Sequence, residues 1–186
     1  MSLRRGFKAH ANRLALRLRR GQNRAPHDPI DLEIIASHLE IPIVRLSSFA
    51  KTNPRAVQHL SITDSDAFSA TTIRLETGKR IIIHNDSHHP RRQRSNLSHE
   101  ISHVLLGHPF TYPIDNSGCR NHDRDLEDEA NWLGATILIS DEAALHILRQ
   151  GIDEETACSA YAVSLPLLRM RINGSGARIR HSRSRY

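Results

Sequence analysis

Apolar residues recur at helical spacing toward both ends of the chain and gather into short strand-like runs only between residues 43 and 84. That pattern predicts helices flanking a small sheet. Leu3, Phe7, Ala11, Leu14 and Leu18 fall at three- and four-residue steps, and Gly21 ends the run, which predicts an amphipathic helix. Its arginines leave contact with a membrane surface or nucleic acid open; docking through the apolar stripe is the simpler reading. After a Pro-containing linker, Asp31 is placed to cap a short helix to residue 39. Residues 43–46 read as a strand, and 67–75 and 79–84 as two strands of a hairpin turning at Glu76-Thr77-Gly78. Residues 47–65 carry no clear pattern. Helical periods return at 91–107, 124–139, 141–150, 153–162 and 164–172, with Asp141, Asp153 and Ser164 expected as caps. The basic end, 178–186, reads as mobile.

The helix expected at 91–107 contains His99-Glu100-Ile101-Ser102-His103. Residues four apart on a helix are turned by about 40° and separated by roughly 6 Å along the axis. Two imidazoles on one face can thus reach one zinc ion, with Glu100 beside them as a base for an activated water. In a chain with 13 His the motif alone is weak evidence. It gains from context: an apolar strand precedes it, Gly107 and Pro109 close its helix, and an acidic helix follows.

A catalytic zinc normally takes three protein ligands and leaves one position open. The best third candidate is Glu127, with Asn131 one turn later to orient a ligating histidine. Glu129 points about 160° from Asn131 and is the weaker choice. His108 is out of register for the third histidine of the metzincin pattern, although it can still border the site. The loop 108–123 is where a substrate cleft would be lined, and Tyr112, His108 and His122 are the candidates there for steadying the transition state. Cys119 in the same loop is either a plain surface thiol or a switch that occupies the open metal position.

Net charge is +6 with a pI near 10.0, and the basic surplus sits at the chain ends, so it describes the tails more than the core. At 186 residues the chain fits one domain. We divide it into a basic helix and linker (1–27), a metal-bearing domain (28–174) and a basic tail (175–186). Two cysteines make no disulfide framework, and no apolar run reaches membrane-span length, so a cytoplasmic protein is expected.

From about Asp31 to Ile172 the chain resembles the ImmA/IrrE family of zinc-dependent metallopeptidases. The resemblance rests on Asp31 and Ala36 before Ile41-Pro42-Ile43-Val44, on Ile81-Ile82-Ile83-His84-Asn85, and on the arginines before His-Glu-x-x-His. It is most specific at Glu127-Asp128-Glu129-Ala130-Asn131 before an apolar helix, and continues through Ala160-Tyr161-Ala162-Val163-Ser164 and Leu168-Arg169-Met170-Arg171. Three serines depart from the family pattern: Ser95 for an aromatic, Ser98 for an alanine, and Ser140 for a proline. The resemblance implies an α+β, zincin-like fold with a small, mostly antiparallel sheet packed on the histidine-bearing helix. It implies one Zn2+ per chain on His99, His103 and Glu127, with Glu100 as base, and cleavage of a helix-turn-helix repressor as the activity. The alternative is a non-catalytic regulator that binds a repressor or DNA through its basic ends and the helix pair at 154–162 and 164–172.

Overall fold

The structure, a computed structural model, describes residues 3–109 and 123–184. In chain order its elements are α1 (Phe7–Gly21), α2 (Leu32–His38), β1 (Ile43–Arg45), α3 (Pro54–Gln58), β2 (Ala70–Arg74) and β3 (Arg80–His84). There follow α4 (Pro90–Leu106), α5 (Arg124–Leu138), α6 (Asp141–Arg149), α7 (Glu154–Ala160), α8 (Leu165–Gly174) and α9 (Ala177–Arg183). The α+β class is as expected.

The three strands are ordered β1-β3-β2. The β2–β3 hairpin is antiparallel as anticipated, and Gly78 supplies the left-handed residue at its turn, with φ of 81°. The other pair, β1–β3, is parallel, so the sheet is mixed. Ile82, fully buried at the centre of β3, pairs with Thr72 on one side and Ile43 on the other. Helix α4 lies against β2 and β3 and packs its other side on α5. Asn85, also fully buried, ends β3; its amide donates to the carbonyls of Leu60 (2.7 Å) and Phe68 (3.1 Å) and so gathers the irregular 59–69 segment.

Helix α5 is the axis of the helical half. Its buried set includes Ala130, Trp132, Leu133, Ala135, Ile137 and Leu138, wider than the single face that its periodicity predicts, because α1, α4 and α8 all pack on it. A helix enclosed in this way ends with carbonyls that neither its own turns nor water can satisfy. Two buried arginines take them. Arg19 donates to Leu138 O (3.2 Å), and also to Asp28 O (2.8 Å) and Ala15 O (3.3 Å). Arg171 donates to Ile139 O (2.9 Å) and pairs with Asp141 at 2.5 Å. Burial pushes the Arg19 guanidinium down to about 10, which leaves it charged at neutral pH beside the negative end of the α5 dipole. Arg19→Ala leaves the buried Leu138 carbonyl without its donor and removes the tie to the partly buried Asp28 carbonyl. We expect a loss of about 3 kcal/mol of folding free energy, read from denaturant midpoints, with partial recovery in Arg19→Lys. A shift within experimental error would mean that the carbonyls find other donors.

Three local expectations are corrected. Ser140, not Asp141, caps α6: its hydroxyl accepts from Ala143 N (3.0 Å) and donates to Pro26 O (2.7 Å). Asp141 is instead the first helical residue and partners Arg171. The basic tail, expected to be mobile, carries α9, which starts after Gly176 in a left-handed conformation and buries Ala177. The amphipathic stripe of α1 is also shifted. Phe7, Ala11, Ala15 and Arg19 are buried, while Leu3, Leu14 and Leu18 pack at its flanks. Among the described residues no helix is long and apolar enough to cross a membrane.

Candidate metal centre

Four consecutive side chains anchor the start of α4. Arg91 donates to Ser159 Oγ (3.2 Å), Arg92 pairs with Asp66 (2.6 Å), Gln93 donates to His88 O (2.7 Å), and Arg94 donates to Ile30 O. These contacts offset the poor placement of positive charge at a helix N-terminus and explain its arginines structurally. One turn further along, α4 meets α5 at close range. A Cβ on Gly134 would stand 3.2 Å from the backbone of Ser98 and His99, so glycine is what allows this approach. Ser98, fully buried, donates to Gly134 O at 2.9 Å. The unexpected serine is therefore a bolt between the two helices.

That bolt sets Glu127 opposite the histidines. His99 Nε2 and His103 Nε2 are 3.0 Å apart, and the Glu127 oxygens lie 3.3 Å from the first and 3.4 Å from the second. Donor atoms on a tetrahedral ion with bonds of about 2 Å are separated by about 3.3 Å, so the trio fits one metal ion. It is the cluster of this kind among the described residues. His103 and His99 hold the Glu127 carboxyl far below the usual carboxylate range. Burial of the His99 ring opposes its charge, but Glu127, Glu100 and a hydrogen bond to Asn131 outweigh it and raise its pKa. The structure thus brings His99, His103 and Glu127 together, with Asn131 against His99.

Glu100 turns toward the sheet, where the Thr72 hydroxyl of β2 donates to its Oε2 at 2.7 Å. Sequence reasoning missed Thr72, which no motif marks. It also missed the role of Glu129, which faces away from the trio and is buried, with an oxygen 3.7 Å from His108 Nε2. His108 Nδ1 in turn lies 3.0 Å from His103 Nδ1. His108 therefore stands behind a histidine of the trio, where a donor to a developing oxyanion is not expected. Tyr112, His122 and Cys119 lie outside the described residues.

A pocket of about 290 Å³ opens beside His99, with Ser95, Asn131, Pro166, Leu167 and Met170 among its walls. An aromatic at position 95 would intrude on this space. The α7–α8 pair, considered above for DNA, offers little positive charge: both guanidinium arms of Arg169 hold Glu154 (2.8 and 2.7 Å), and Arg171 is fully buried.

Comparison with known families agrees with this geometry. The family model described as Peptidase_M78, IrrE N-terminal-like domain, matches residues 35–173, well over half of the chain. Among curated proteins, none matches the chain.

Proposed function

The chain belongs to the IrrE N-terminal-like peptidase family, and from that premise we propose that it is a zinc-dependent, site-specific peptidase acting on a helix-turn-helix repressor. The observation that carries the catalytic part is the convergence of His99, His103 and Glu127 beside a carboxylate, Glu100, that is not needed as a ligand. The repressor rests on the resemblance noted above, in which such proteins are the substrates.

Zinc bound in this site would supply Lewis-acid polarisation of the scissile carbonyl and would lower the pKa of water toward about 7. His99 and His103 would hold it through Nε2, and Glu127 through its carboxylate. Thr72 fixes Glu100 Oε2, which leaves Oε1 to take the proton of the attacking water and return it to the leaving amine. Asn131 steadies the His99 ring. The pocket beside His99, with Pro166, Leu167 and Met170 in its wall, suits an apolar substrate side chain near the cut bond.

The test uses protein purified without chelator and a repressor encoded by a neighbouring gene. We expect one zinc per chain by elemental analysis, most of it lost in His103→Ala, and a single cut in the repressor that chelator prevents. Full zinc occupancy in His103→Ala would sink the site. An uncut repressor with zinc in place would sink the substrate.

A further inference from the structure

We propose that Arg4, Glu129 and His108 form a chain of contacts that fixes the ring of His103, so that a segment outside the matched family region completes the metal centre. This proposal rests on the metal site above and adds three positioning residues to it.

His108 Nδ1 and His103 Nδ1 are 3.0 Å apart, a hydrogen-bond distance at which one must carry the proton and the other must not. His103 turns Nε2 to the trio, and a ligating nitrogen is bare, so the proton of a neutral His103 sits on Nδ1. His108 Nδ1 is then the acceptor, and the proton of His108 sits on Nε2. That nitrogen faces Glu129 Oε2 at 3.7 Å, within ion-pair range, and a shift of about half an ångström brings it to hydrogen-bond distance. Every step of this proton order follows from the one before.

Glu129 is 7% exposed, as is His108, and a carboxylate so buried requires a partner. Arg4 provides it, with Nε 2.9 Å from Glu129 Oε1, while remaining 63% exposed itself. The arginine neutralises one oxygen and leaves the other toward His108. A ligating histidine backed by a carboxylate is a common way to fix tautomer and ring angle. Here a second imidazole is inserted between the two, and the carboxylate is held from the chain's N-terminal segment. Arg4 lies well ahead of residue 35, where the family match begins.

The test compares variants by zinc titration against a competing chelator and by the visible spectrum of the cobalt(II)-substituted protein. His108→Leu removes the acceptor; we expect zinc affinity to fall about tenfold to a hundredfold and the cobalt bands to shift. His108→Asn offers an oxygen near the position of Nδ1 but no link to Glu129, so it should lose severalfold, clearly less than His108→Leu. Glu129→Gln and Arg4→Ala read the chain from its outer end, and Arg4, being exposed, can be removed without opening the core. Both should weaken zinc by severalfold and lower kcat with little change in KM. Parental affinity and spectrum in His108→Leu would overturn the proposal, as would equal losses in His108→Leu and His108→Asn. If His108→Leu fails to fold, unchanged zinc affinity in both Glu129→Gln and Arg4→Ala overturns it. A parent that binds no zinc would instead refute the metal site itself, so the two failures are distinguishable.

Discussion

Glu127→Ala should lose zinc at micromolar free metal, whereas Glu129→Ala should keep it. The two acids are two residues apart on α5, and a helix turns their side chains to different sides. Glu127 comes within 3.3 and 3.4 Å of the two histidine Nε2 atoms, and Glu129 is turned to His108 and Arg4. A ligand carboxylate contributes charge and geometry together. Its loss leaves two imidazoles, a set too small for a catalytic zinc site. Loss of Glu129 removes only support, at a cost of about a hundredfold at most. Chelator competition on the two variants measures both effects. The reverse order of affinities would move the ligand to Glu129; near-parental affinity in both would exclude both acids.

How this pair could be told apart in advance shows what the sequence makes legible. His99, Glu100 and His103 belong to one helical turn, and Glu127 and Asn131 to another, so their relative directions follow from helix geometry alone. The hairpin was legible for a similar reason: Gly78 and the period of the flanking strands are local signals. Contacts between distant segments carry no such signal. Nothing local marks Arg19 or Arg171 as buried, yet each satisfies a carbonyl at the end of α5. Nothing near Thr72 marks it as the partner of a residue 28 positions later. The parallel β1–β3 pairing was likewise hidden, because a three-residue strand has no pattern that sets its direction. Helix α9 was missed because its basic composition resembles a mobile tail, and its order depends on packing against α6 and α8. The cap of α6 was misplaced by one residue, since Ser140 and Asp141 are both good caps by type.

The family departures acquire physical meaning from the same distant contacts. Ser98 bolts α4 to α5, and Ser140 caps α6 while holding the Pro26 carbonyl. These two serines add hydrogen bonds that alanine and proline lack. Ser95 belongs to the pocket wall, where a smaller side chain leaves more room beside His99. One departure thus concerns how α4 and α5 are held together, one concerns the start of α6, and the third concerns what the pocket can admit.

Glu100→Gln should retain a full complement of zinc and lose cleavage by about a hundredfold to ten-thousandfold, the usual span for removing a general base. The amide keeps the size of the side chain and its place beside Thr72 but cannot accept the proton of an attacking water. Zinc should be unaffected, because the donor trio is complete without Glu100. Thr72→Val separates chemistry from positioning. It preserves the β-branched shape on β2 and removes only the hydroxyl that donates to Oε2 at 2.7 Å. Glu100 then keeps its charge and loses its orientation, so we expect a smaller fall in kcat, about tenfold, with KM and zinc content unchanged. Single-turnover cleavage of the repressor by zinc-loaded variants measures both. Parental rates in Glu100→Gln would remove this residue from the mechanism. Parental rates in Thr72→Val alone would show that α4 aims the carboxylate without help from the sheet.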